Sequence, residues 1–80
     1  TPGHTKGSVC YLVENALFSG DTLFYMSCGR TDFPSGSSDE MLASLKRLKN
    51  LDGDYSVYTG HDFITDLDFE RKNNPYMKLL

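Results

Sequence analysis

His4, Asp21 and His61 are the residues of this chain best suited to hold a metal ion. Each follows a glycine, in Pro-Gly-His, Ser-Gly-Asp and Thr-Gly-His, and each flanks a segment that reads as a strand. Imidazole and carboxylate are donors that zinc, iron and manganese all accept. The glycine lets the backbone turn sharply, so that the next side chain can point inward toward a neighbouring loop. Taken singly, each has a plainer account: Gly-His in a loop is a surface turn, and Asp after Gly is a turn residue. Taken together they read differently, because both histidines of the chain and one aspartate occupy equivalent positions.

The elements that must position these residues are short. Ser8 to Val13 is a β-branched and aromatic run with the composition of a mostly buried strand, and Cys10 within it reads as a small hydrophobe. Glu14 and Asn15 form a tight turn into a second strand over Ala16 to Ser19, so the pair reads as a hairpin with Asp21 just past its end. The run YMSCGRTDFPSGSS has neither helical nor strand period and reads as an irregular loop. Ser37 with Glu40 makes a capping box, after which Met41, Leu42, Leu45 and Leu48 share one helical face. Asp39 and Glu40 at the start and Lys46, Arg47 and Lys49 at the end match the sign of the helix dipole. A turn at residues 52–54 leads to a strand from Tyr55 to Tyr58. Thr65 with Asp68 then caps a short helix through Arg71, which Asn73-Asn74-Pro75 ends.

Composition narrows the function classes. Eighty residues make at most one domain, and a chain of this size buries only about 60% of the surface its unfolded form exposes. A formal charge of -3 offers no basic footprint for nucleic acid or anionic lipid. No apolar run approaches the roughly 18 residues of a membrane span, and nothing at the start resembles a signal peptide. Cys10 and Cys28 lack C-x-x-C spacing and read as free thiols in a reducing compartment, so the expected location is the cytoplasm.

TPGHTKGS, SGDTLF, CGRTDF and YTGHD, in this order and spacing, resemble the C-terminal half of the metallo-β-lactamase superfamily, with the nearest likeness to its glyoxalase II-like hydrolases. The likeness runs from Thr1 to about Met77. It implies an α/β fold: one half of an αββα sandwich, with short strands and two helices, incomplete as an isolated chain. Residues 1–80 would then be a partial domain whose N-terminal half, with its His-x-His-x-Asp-His motif, is absent from this sequence. The resemblance further implies that His4 binds one metal, His61 a second, and Asp21 bridges them. The metals would be two zinc ions, with iron or manganese as possible replacements. The implied chemistry is hydrolysis of a thioester or related small ester by metal-activated water.

Arg30, in CGRTDF, falls where the glyoxalase II-like proteins carry a basic residue near the glutathione moiety, and its guanidinium could clamp a substrate carboxylate. An internal ion pair with Asp32 is the equal alternative. Phe63 falls where glyoxalase II enzymes tend to have a tyrosine; it could wall a substrate site but not donate a hydroxyl hydrogen bond. CGRTDF also resembles persulfide dioxygenases, in which two histidines and an aspartate hold a single iron. A third reading is a catalytically inert half or interaction module. An isolated half would expose an apolar sheet face and is expected to self-associate.

Overall fold

The computed structural model describes residues 1–60 and 63–80. Among these residues six strands and three helices follow in order: β1 (Tyr11–Val13), β2 (Ala16–Gly20), β3 (Leu23–Phe24), β4 (Ser27–Cys28), α1 (Ser38–Lys49), β5 (Ser56–Thr59), β6 (Ile64–Asp66), α2 (Leu67–Asn73) and α3 (Pro75–Lys78). Four strands form one sheet in the order β1-β2-β5-β6, and β3 and β4 make a separate antiparallel pair. β1 and β2 are the expected hairpin, turned at Glu14 with a φ of 54°. β2 and β5 run parallel, which requires a crossover, and α1 supplies it.

Period-2 alternation sorts the sheet's side chains into two rows. Leu17 and Val57 are paired across β2 and β5 and are fully buried. They pack in one cluster with Leu23, with Met41, Leu45 and Leu48 of α1, and with Leu67 and Met77 of the last two helices. On the opposite face Tyr11, Phe18, Tyr58 and Ile64 line up across all four strands and are exposed, with Phe18 stacked on Tyr58 at 5.2 Å. The sheet is therefore covered on one face and bare on the other.

Helix α1 begins at the expected cap, but as half of the expected capping box, because the Ser37 amide donates to Gly3 O and not to Glu40. The Ser37 hydroxyl accepts from the Glu40 amide, acidic residues occupy the first turn and basic ones the last. Arg71 donates to Lys49 O at the end of α1 and to Leu51 O and Gly53 O in the turn that follows. Lys49 in turn donates to Met77 O and Leu80 O, so α1 is tied to the chain's last segment.

Several expectations need correction. The strand expected from Ser8 covers only Tyr11–Val13, and all three residues are exposed. It is an edge strand with a single neighbour, and Cys10 lies outside it, half-buried against the core. Leu42 is exposed, and Ser44 takes the buried position instead, donating to Pro2 O at 2.6 Å. Thr65 caps no helix: it sits in β6, and its hydroxyl donates to Glu70. The loop after Phe24 contains the β3–β4 pair, and α3 adds a third helix that Asn74 caps by accepting from Tyr76 N.

Candidate metal centre

His4 and Asp21 meet. His4 Nε2 lies 3.5 Å from Asp21 Oδ2, both side chains being part-buried. His4 Nδ1 lies 2.8 Å from the Arg30 carbonyl oxygen. A carbonyl can only accept, so Nδ1 carries a proton and Nε2 is the nitrogen turned toward the carboxylate. This is the tautomer that a metal-binding imidazole needs, with its other nitrogen fixed by a backbone acceptor. The donor set therefore fits a divalent cation, as two of its ligands. No group of three or more His, Cys, Asp or Glu side chains comes together among the described residues. His61, the third expected ligand, lies outside them.

Local backbone explains how the two residues are aimed. Gly3 has a φ of 149°, and a Cβ there would stand 2.5 Å from Met41 Cα, so the residue before His4 must be glycine for the loop to lie on α1. Ser37 N donates to Gly3 O and holds that contact. At the end of β2 the pairing with β5 skips Ser19, and Gly20 takes a φ of 52°, which turns the chain into Asp21. Gly60 follows a different logic. Its N–H donates to Gly20 O, and a Cβ would lie 2.8 Å from Asp21 Oδ1, so glycine there lets β5 approach the carboxylate.

A cleft of about 450 Å³ opens at this point, lined by His4, Asp21, Phe24, Ser27, Arg30 and Phe33 among others. A larger one of about 510 Å³ shares the Cys28–Arg30 wall and runs on past Thr31, Ser38 and Tyr76. The smaller cleft is the candidate site, because it holds the imidazole and the carboxylate. Phe33 meets the His4 ring edge-on at 5.2 Å. It was not singled out from the sequence, although it lies inside CGRTDF.

Arg30 lines the cleft, but its fork is engaged. Nε and Nη2 each donate to Asp32 at 2.7 Å, and the guanidinium carbon lies 4.7 Å over the Phe33 ring. Hydrogen bonding from Arg30 holds the Asp32 carboxyl at about 2, well below its usual value. The internal ion pair offered as one alternative is thus present. Phe63 does not join the cleft lining among the described residues; it is 65% exposed and packs on Tyr25 at 5.8 Å. Burial pushes the Cys28 thiol up, away from the thiolate that a nucleophile would need.

Known proteins repeat this architecture. Hydroxyacylglutathione hydrolase of Shewanella halifaxensis is 42% identical over 78 residues, which cover 92% of this chain and 30% of that protein. The probable polyketide biosynthesis zinc-dependent hydrolase PksB of Bacillus subtilis is 42% identical over 64 residues, or 79% of this chain and 28% of its own length. The crystal structure of TTHA1623 in a di-iron-bound form superposes with a TM-score of 0.88 at 40% identity, covering 94% of this chain and 39% of that one. ETHE1 from Myxococcus xanthus superposes with a TM-score of 0.84 at 38% identity, covering 94% and 36%. The chain thus spans about 30% of the length of its curated hydroxyacylglutathione hydrolase relatives. The model of the metallo-beta-lactamase superfamily matches residues 1–61, the stretch that carries His4, Asp21 and the glycines that aim them, and the chain belongs to that superfamily.

Proposed function

We propose that this chain forms part of a metal-dependent hydrolase of thioesters or related small esters, in which His4, Asp21 and His61 are metal ligands and Asp21 bridges two metals. The convergence of His4 Nε2 and Asp21 Oδ2, with the opposite imidazole nitrogen pinned to a carbonyl, is the observation that carries this reading. The superfamily implies divalent metal; zinc is the proposed ion, and the similarity to a di-iron protein leaves iron open as an occupant. When bound, such a metal acidifies a water toward neutral pH and polarises an acyl carbonyl. The chain's own residues do the rest. His4 presents a neutral nitrogen donor and Asp21 a hard anionic one. Phe24 and Phe33 wall the cleft with apolar surface.

A thioester suits the site because its thiolate leaves without strong protonation, and no general acid is needed beside the carboxylate. Arg30 is the proposed contact for a substrate carboxylate. It already carries Asp32 as an internal carboxylate, so a substrate anion would bind by exchanging with that partner. Phe63 is proposed as an outer apolar contact. Neither nucleic acid nor membrane is a proposed partner, and no helix among the described residues is long and apolar enough to cross a membrane.

The test is turnover of a glutathione thioester by the purified intact protein, with metal content measured on the same sample. Asp21→Ala is expected to abolish turnover and lower the metal content. Unchanged turnover at full metal loading refutes the assignment. The second reading, a mononuclear iron dioxygenase, draws on the resemblance of CGRTDF to persulfide dioxygenases and the likeness to ETHE1 from Myxococcus xanthus. One iron per chain, with oxygen consumption and no thioester hydrolysis, selects it.

A further inference from the structure

Glu70 and Asn74, in the ERKNNP run near the end of the chain, are both fully buried although one is charged and the other an amide. Buried polar groups persist when their hydrogen bonds are satisfied, and these two satisfy each other. Glu70 Oε1 accepts from Asn74 Nδ2 at 2.9 Å and from the Met26 amide at 2.8 Å, and Oε2 accepts from Thr65 Oγ1 at 2.7 Å. The two hydrogens of Asn74 Nδ2 are shared among Glu70 Oε1, Ser27 O at 3.0 Å and Phe24 O at 3.3 Å.

These bonds converge on the β3–β4 turn. Met26 has a φ of 57°, a left-handed conformation that a side chain disfavours, and the Glu70 carboxylate holds its amide there. β4 then delivers Gly29, whose N–H donates to Thr22 O at 3.1 Å and whose Cα lies against the Asp21 carbonyl. The carbonyl of the following residue, Arg30, is the one that accepts from His4 Nδ1. Neither Glu70 nor Asn74 lines the His4–Asp21 cleft.

We infer that Glu70 and Asn74 are positioning residues for the His4–Asp21 site: they clamp the β3–β4 turn, whose continuation lays the Gly29–Arg30 backbone onto Asp21 and His4. The inference rests on the reading of His4 and Asp21 as metal ligands. Asn74→Asp is the discriminating substitution. It is nearly isosteric, keeps the oxygen that caps α3, removes all three Nδ2 donations and sets a second carboxylate against Glu70. Glu70→Gln is the conservative partner: its oxygen still accepts from Met26 N and Asn74, and its amide can donate to Thr65.

Zinc affinity of the intact protein, measured by chelator competition, and amide exchange of residues 23–30 are the two readouts. Asn74→Asp is expected to weaken zinc binding about 10–100-fold, the scale for losing a group that orients a ligand, and to speed exchange over 23–30 but not over α1. Glu70→Gln retains the wild-type values. A folded Asn74→Asp protein with unchanged affinity and exchange overturns the inference. If that variant does not fold, the wild-type protein decides: protection of the Met26 amide matching that of β2 supports the clamp, and rapid exchange overturns it. His4→Ala separates the two levels. If it leaves zinc affinity unchanged, the ligand reading falls, while the exchange data still judge the clamp.

Discussion

Gly29→Ala tests the geometry of the site with a single methyl group. A Cβ at residue 29 would lie 1.8 Å from the Asp21 carbonyl oxygen and 2.9 Å from its carbonyl carbon, where ordinary contact begins at 3.4 Å. The two backbone segments must therefore separate by ~1.6 Å, because neither partner is a flexible side chain. The methyl also comes within 3.3 Å of His4 Cβ, so the displacement reaches both halves of the ligand pair. Overpacking of this kind costs about 1–3 kcal/mol in stability, and misplacing a reacting group by about 1 Å costs on the order of 100-fold in rate. The assay is thioester turnover and metal content on folded, size-selected protein, beside the thermal midpoint. The expected result is a modest fall in the midpoint with a loss of turnover on the order of 100-fold. A variant that keeps wild-type turnover and metal content would show that the Asp21–Gly29 contact does not set the site, and the reasoning would fail.

Other tests address separate parts of the molecule. The Asp32 carboxyl, held by Arg30 at about 2, is expected to titrate by carbon NMR near that value and to return toward about 3.9 in Arg30→Ala. Because the folded value is depressed, the support this pair gives the loop is present above about pH 4 and is lost as pH falls through the folded value. If Arg30 contacts substrate, Arg30→Ala raises the Michaelis constant more than it lowers turnover; equal losses in both would assign it to the loop alone. Leu45→Ala removes a fully buried side chain from the helix that covers the sheet and is expected to cost about 2–5 kcal/mol by denaturant titration. The 80-residue chain on its own is expected to self-associate through the Tyr11–Phe18–Tyr58–Ile64 row, and sedimentation should show Phe18→Lys shifting it toward monomer. A monomeric wild-type chain at micromolar concentration would refute that.

Local signals were legible where a short-range rule acts alone. The Ser37 cap, the charges along α1, the turn at Glu14 and the break at Asn74-Pro75 each depend on residues within one or two turns of chain, and the structure shows all four. The β3–β4 pair gave no such signal, because each strand is two residues long and its register is held by Glu70 and Asn74, more than forty positions away. Thr65 misled for the same reason. Its spacing to Asp68 imitates a cap, but its hydroxyl is drawn to the buried Glu70 carboxylate. The exposure of β1 was equally out of reach, since an apolar strand's burial depends on what lies beside it.

Sequence by itself determined the residue types and their grammar: two imidazoles and a carboxylate, each behind a glycine, in motifs specific enough to name the superfamily. Tertiary structure decided which of them meet. It brought His4 to Asp21 by laying the Gly3 loop on α1 and turning the chain at Gly20, and it fixed the His4 tautomer with a carbonyl 26 residues distant. It also set the buried Glu70 carboxylate against the turn that carries the site, 44 residues away. The physical reason is range: conformational preference and capping act over a few bonds, whereas a hydrogen bond needs two groups within about 3 Å, a condition that only the folded chain can meet.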